Sequence, residues 1–318
     1  MNEATAFIPP HALNTAVLFL VFNRLDTTRQ VFEAIRQAKP PRLYVAADGA
    51  RTNKEGEADK AQAVRDYIMQ NVDWECEVKT MFRERNLGCK MAVSGAIDWF
   101  FENEEMGIIL EDDCLPSQSF FWFCEELLER YKDDMRIGHI AGYNHFPGRV
   151  TDSTYFYFLV PGIWGWASWS NRWCKYNVHI EDSSREISMV ATRFSNANLS
   201  KCWVDIFKKI GTVDTWDYQW LYALLKNGFL TIRPSLNLVS NIGLGEGATH
   251  TVTKNVDISN NKGVEIDCTC FIKPNAFILD VEEENIFYKV RMRRSIIVKL
   301  SSSLKKFILN QIRNIRNF

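Results

Sequence analysis

No apolar run in this chain of 318 residues approaches the roughly 20 residues needed to cross a bilayer as a helix. The opening MNEATAFIPP lacks the basic-then-apolar layout of a signal peptide, so a chain without an N-terminal anchor is expected. The eight cysteines form no C-x-x-C pair, and Cys268 and Cys270 are the closest two. That excludes a zinc framework or a compact disulfide scaffold and suits a reducing cytoplasm. Also missing are an internal repeat, a low-complexity linker and a G-x-G-x-x-G turn after the first apolar run. The last absence argues against a phosphate cradle made of glycine amides at a helix N-terminus.

What is present is a series of short apolar runs, each ending in a polar group. Gly107-Ile108-Ile109-Leu110 runs into Glu111-Asp112-Asp113-Cys114. Such a run reads as a buried strand of a parallel sheet, and open α/β sheets bind ligands outside the carboxyl ends of their strands. Thr15–Phe22 leads likewise to Asn23-Arg24, and Arg42–Ala47 to Asp48-Gly49. Three adjacent carboxylates repel one another, so a cation or a hydroxyl-rich ligand is expected to face them. Their hard oxygens suit Mg²⁺ or Mn²⁺ held jointly with substrate phosphates. The alternatives are a solvated acidic turn, a surface ion pair for Arg24 and a plain turn residue for Asp48.

Between these strands lie helical segments. Val31, Ile35 and Ala38 share a face before Pro40-Pro41, with Asp26 or Thr27 as the cap; Arg51–Gln70 and the run through Ala92, Ala96, Trp99 and Phe100 follow. Glu77–Phe82 is a weaker strand. Ser119–Tyr131 reads as an aromatic helix, Ile137–Ala141 and Leu230–Arg233 as strands, and Trp216-Asp217 as the start of a helix ending at Asn227-Gly228. Glu181–Ser200 is polar without clear periodicity and reads as an insertion or mobile loop. The alternation gives an α/β class with a mostly parallel sheet flanked by helices. The expected organisation is an N-terminal extension (1–14), one domain (15–285, with a nucleotide-binding half 15–115 and an acceptor and catalytic half 116–285), and a tail (286–318).

Residues 289–318 carry nine Lys/Arg and no Asp/Glu, leaving an acidic body. Apolar positions from Ile297 to Ile315 recur every three or four residues, the pattern of a basic amphipathic helix suited to an anionic membrane surface. Packing on the domain or on a partner is the other reading. No basic groove studded with aromatics accompanies the tail, so nucleic acid is not expected as a partner.

In order, Phe22-Asn23-Arg24, Asp48-Gly49, Leu110-Glu111-Asp112-Asp113 and a distal block resemble the GT-A glycosyltransferases, most closely the N-acetylglucosaminyltransferase I branch, here in a bacterial-type form. The distal block comprises Pro161-Gly162-x-Trp164-Gly165-Trp166, Trp216-Asp217-x-x-Trp220 and Ile232-Arg233-Pro234-Ser235. The resemblance spans about residues 15–250. It implies a Rossmann-like GT-A fold and metal-dependent, inverting transfer of a sugar from a UDP-sugar to a hydroxyl of a glycan or lipid-linked glycan. Arg24 and Asp48 would contact the uridine end, and Glu111 and Asp112 the sugar and ribose hydroxyls. Asp113 would hold Mn²⁺ or Mg²⁺ against the diphosphate, and Asp217 would be the catalytic base. Trp166, Trp216 and His250 would line the substrate site, with Gly243–Thr251 as a lid ordered by the donor; core packing is at least as good a reading of the tryptophans. The Pro-Gly block carries one extra residue before its final Gly-Trp, a departure that bears on the acceptor. The expected location is cytoplasmic, peripheral on the inner face of a membrane. Two other classes compete: a nucleotidyltransferase making a nucleotide-sugar, which should show a Gly-rich basic N-terminal loop, and a membrane-binding protein without enzymatic activity.

Overall fold

The computed structural model describes residues 7–144, 152–243, 262–279 and 281–289. β1 (Val17–Val21) is buried at every position, as expected of a strand covered on both faces. α1 (Leu25–Ala38) carries it over to β2 (Arg42–Ala47), which pairs with β1 in parallel, Val21 beside Ala47. α2 (Glu57–Asn71) leads to β3 (Glu77–Phe82), the half-exposed parallel edge. α3 (Gly88–Asn103) returns the chain to the other side of β1, where β4 (Met106–Glu111) pairs in parallel, Leu20 beside Glu111. The order therefore reverses at β1/β4. A β-carbon on Gly107 would collide with the Phe100 ring, so glycine lets α3 close onto β4. Ile108, Ile109 and Leu110 are fully buried, each worth about 1.5–3 kcal/mol relative to exposure.

After β4 the chain forms β5 (Cys114–Pro116), α4 (Ser119–Arg130) and β6 (Ile137–Ala141). β7 (Tyr155–Phe158), β8 (Trp166–Trp169) and the one-turn α5 (Ser170–Trp173) follow. β8 lies antiparallel between β4 and β6. Beyond β6 come β9 (Leu230–Pro234), parallel, and β7, antiparallel. The result is a mostly parallel eight-stranded sheet in the order β3-β2-β1-β4-β8-β6-β9-β7. α8 (Asp217–Lys226) precedes β9, ending at Asn227 with Gly228 left-handed at φ 78°. β10 (Val239–Asn241) pairs antiparallel with β5 to make a separate two-stranded sheet.

The chain packs as two compact units, Met1–Ile180 with Ile210–Ile278, and Glu181–Lys209 with Leu279–Phe318. The first holds both sheets. The second holds α6 (Ser184–Ala191), α7 (Ala197–Phe207) and α9 (Val281–Phe287), with Glu284 Oε2 accepting the Asn196 amide at 2.9 Å.

Three local expectations are corrected. Glu181–Ser200 contains helix where a loop is expected, because Ser183 and Glu186 form a reciprocal capping box and the Asn196 side chain caps α7. α1 begins at Leu25 with Arg24 at its cap and no side-chain cap bond, so neither Asp26 nor Thr27 caps it. α2 begins only at Glu57, after a left-handed Gly56. The tail from residue 290 onward, His250 and all of the expected lid except Gly243 lie outside the described residues. Among the described residues no helix is long and apolar enough to cross a membrane.

Candidate functional site

The parallel register aligns the carboxyl ends of β2, β1 and β4, so Asp48, Asn23-Arg24 and Glu111-Asp112-Asp113 leave the sheet side by side. They do so at the topological switch point, the usual ligand crevice of an open α/β sheet.

Arg24 joins two of these strand ends. Its Nη2 donates to Asp112 Oδ1 in a short contact and to Asp113 Oδ2 at 3.0 Å. Burial works against its charge, yet Asp112 and Asp113 together hold its pKa above the ordinary arginine value. Asp112 is buried, and its Oδ2 makes no hydrogen bond among the described residues. Burial pushes its pKa up to about 6 against the pull of Arg24, with Asp113 adding repulsion. Glu111 is pushed up to about 8 by burial first, then by Asp113, Asp112 and Asp217, with Arg24 opposing.

Asp217, the first residue of α8, therefore lies within electrostatic reach of Glu111, although 106 residues separate them in the sequence. Thr215 Oγ1 donates to Asp217 Oδ1 in a short bond. Cys89, in the first turn of α3, is pushed up to about 12 by burial and by Glu111, Asp214 and Asp217. It lines the same acidic centre as a neutral thiol.

Asp48 is tied into the adjoining loop. Its carboxylate accepts from the Gly49 amide at 2.9 Å, the Leu87 amide at 3.0 Å, the Gly88 amide at 3.2 Å and Asn86 Nδ2 at 2.9 Å. Burial raises its pKa against these donors. A β-carbon on Gly49 would collide with the Arg85 backbone, so the Asp48-Gly49 pair fixes the close approach of β2 to the loop before α3. Asn23 donates to Glu57 Oε1 at 3.0 Å, and Glu57 is itself buried against Arg51. Asn23 thereby braces the turn into α2.

Of the two readings of the tryptophans, substrate contact and core packing, the structure favours packing for Trp166 and Trp216. Trp166 is fully buried, and its ring stacks on Trp216 at 5.7 Å and on His139 at 5.0 Å. Neither offers a ring face to a ligand. Trp220, one turn beyond Asp217, donates from Nε1 to His139 Nδ1 at 3.1 Å. An indole N–H can only donate, so Nδ1 is the acceptor. The His139 proton then sits on Nε2, which donates to the Gly162 carbonyl at 3.0 Å. Burial holds this imidazole neutral, its pKa lowered to about 3. His139 thus ties α8 to the Pro161-Gly162 block. Neither it nor Asp214, which accepts the Cys89 and Lys90 amides at 3.0 and 2.8 Å, is singled out by the sequence analysis. An acidic residue just ahead of the Trp216-Asp217 pair is the one signal that marks Asp214.

Beside Asp113, β10 brings in Ile242, whose amide donates to the Asp113 carbonyl at 2.8 Å. The next residue, Gly243, lies so close that a β-carbon would collide with Asp113 Oδ2 and sit 2.7 Å from Arg24 Nη1. Among the described residues no group of three or more His, Cys, Asp or Glu side chains is arranged to hold a metal ion. What exists is a carboxylate pair, Asp112 and Asp113, with one buried oxygen making no hydrogen bond. That donor set fits a hard divalent ion completed by ligand phosphates and water, the usual manner of Mg²⁺.

No protein-family model and no curated protein matches the chain. Among solved structures, similarity is found to a UDP-glucose pyrophosphorylase complexed with UDP-glucose (10% identity, 70% of this chain and 90% of that one, TM-score 0.36). The glycosyltransferase GlyE of Streptococcus pneumoniae TIGR4 is similar at 12% identity, over 69% of this chain and 45% of that one, TM-score 0.34. HddC from Yersinia pseudotuberculosis is similar at 12% identity, over 49% and 77%, TM-score 0.30. These are likenesses of fold, and no residue role is taken from them.

Proposed function

We propose that the protein is a transferase acting on a nucleotide-sugar, and more specifically a glycosyltransferase moving a sugar from a UDP-sugar to a hydroxyl of a glycan or lipid-linked glycan. The observation that carries this reading is that Asp217 lies within electrostatic reach of the acidic turn at the switch point. One group suited to accept a proton from a hydroxyl then faces a crevice suited to a nucleoside diphosphate.

In the proposed reaction the acceptor oxygen attacks the anomeric carbon. The bond between that carbon and the diphosphate breaks, UDP leaves with the electron pair, and the acceptor proton passes to Asp217. General-base help of this kind is worth about 10²–10⁴ in rate. The N-terminus of α1 faces the crevice and favours an anion there. Arg24 supplies fixed positive charge beside it, and Asp48 holds the loop before α3 that walls the nucleotide side. Glu111, largely protonated at neutral pH, can donate a hydrogen bond to a sugar or ribose oxygen. Asp113, with Asp112, would hold Mn²⁺ or Mg²⁺, which when bound offsets the charge developing on a leaving diphosphate.

A nucleotidyltransferase is the second reading, because an open α/β sheet with these acids could serve that chemistry too. The test is a screen of UDP- and GDP-sugars for divalent-ion-dependent thermal stabilisation and for release of nucleoside diphosphate. Stabilisation by a UDP-sugar with ion, lost in Asp113→Ala, supports the proposal; indifference to every nucleotide-sugar sinks it. The tail from residue 290 is proposed to bind an anionic membrane surface, and the full-length protein should then co-sediment with anionic vesicles and release as salt rises.

A further inference from the structure

Arg24 occupies an unfavourable place. It is the cap residue of α1, where the helix dipole and the free amides disfavour a cation. Burial opposes its charge as well. Asp112 and Asp113 offset these costs, and the guanidinium lies against the Asp113 oxygen that faces Gly243. The backbone there is already so close that a single added β-carbon would overlap Asp113 and crowd Arg24 Nη1. An ion on Asp113 Oδ2 would compete with the guanidinium for that oxygen. Asp112 Oδ2, in the same carboxylate that Arg24 binds through Oδ1, is buried and makes no hydrogen bond among the described residues.

We infer that Arg24 is a resident stand-in for a divalent cation. Its guanidinium neutralises the acidic turn while the crevice holds no ligand. When the ion arrives with a nucleoside diphosphate, the guanidinium gives up Asp113 and turns to the phosphates at the N-terminus of α1, the neighbouring position that favours anions. Arg24 therefore opposes binding of the ion alone and promotes binding of the ion together with the diphosphate. This selects the ion–nucleotide pair over free ion, and it rests on the nucleotide reading given under Proposed function.

The two effects carry opposite signs, which a merely structural ion pair would not produce. The experiment uses the full chain, stripped with chelator, as wild type, Arg24→Met and Arg24→Lys. Mn²⁺ is titrated alone, with free ion read by electron paramagnetic resonance; UDP is then titrated calorimetrically at saturating Mn²⁺. Removing a like charge from beside the ion should tighten Mn²⁺ binding in Arg24→Met by about tenfold or more. The same variant should bind UDP about tenfold more weakly at saturating Mn²⁺. Arg24→Lys should lie between the other two in both titrations, because an ammonium cannot reach both carboxylates in the bidentate manner of a guanidinium. If Arg24→Met does not fold, the same ordering of Arg24→Lys against wild type decides the matter. Mn²⁺ affinity unchanged or weakened by loss of Arg24 overturns the inference. Should wild type bind Mn²⁺ but no uridine nucleotide, the nucleotide reading fails, and with it the second half of the inference. The Mn²⁺ titrations would still decide whether arginine and ion compete.

Discussion

Replacing Glu111 with glutamine should make the protein more stable at pH 8 and change little at pH 5. Glu111 keeps its proton up to about 8 in the fold, against 4.5 for an unperturbed glutamate, because it is buried beside Asp113, Asp112 and Asp217. Over that interval the folded state binds more protons than the unfolded state, so stability falls as pH rises from 4.5 toward 8. Each pH unit of full difference is worth about 1.4 kcal/mol, which sets a ceiling of about 5 kcal/mol at pH 8. The residue still keeps some contact with solvent and Arg24 lies within reach, so solvent and counter-charge relieve much of this. A gain of about 1–3 kcal/mol for Glu111→Gln at pH 8 is expected. Urea unfolding of both proteins at pH 5, 6.5 and 8, with chelator present, measures it. A difference that does not grow with pH, or a Glu111→Gln variant less stable than wild type at pH 8, would refute the electrostatic picture of the acidic turn.

Asp217→Asn should keep affinity for a UDP-sugar while kcat falls by about two to four decades; loss of donor binding with kcat intact would make Asp217 structural. His139 acts in the opposite pH range. Its pKa is 6.5 when exposed and about 3 in the fold, so the unfolded chain takes up a proton first and stability is lost as pH falls from 6.5 toward 3. His139→Gln should shrink that acid sensitivity while costing about 1–3 kcal/mol at pH 7 through the disturbed Trp220 bond, read by unfolding at pH 4.5 and 7. Gly49→Ala should cost about 1–3 kcal/mol, because the new methyl meets the Arg85 backbone and no flexible side chain; thermal unfolding unchanged from wild type would disprove that close approach.

The sheet and half of the site were legible because their signals are local. An apolar run followed at once by Glu111-Asp112-Asp113 announces both the strand and what it delivers, and the same holds for Arg24 and Asp48. For the tryptophans the sequence leaves core packing and sugar stacking both open, since a large apolar side chain reads alike in a core and in a sugar subsite until its neighbours are known. β8 was hidden for a related reason: Trp166–Trp169 is short, lies among Gly and Trp, and becomes a strand only by pairing with residues far away. His139 and Asp214 act on groups 81 and 125 residues distant, distances over which periodicity carries nothing. The helices within Glu181–Ser200 were legible in principle, through Ser183 with Glu186 three residues on, but too short for their apolar faces to stand out.

Glycosyl and nucleotidyl transfer differ in which bond is cleaved and which group is transferred, and product analysis of one reaction reaches that directly. UDP-sugars labelled in the sugar and in the β-phosphate are incubated with the protein and Mn²⁺, with pyrophosphate present or absent. The expected result is ion-dependent formation of UDP with the label of the sugar released or passed to a hydroxyl, unaffected by pyrophosphate and slowed by about two to four decades in Asp217→Asn. Formation of UTP and sugar 1-phosphate only when pyrophosphate is added would contradict glycosyl transfer and assign the site to nucleotidyl transfer.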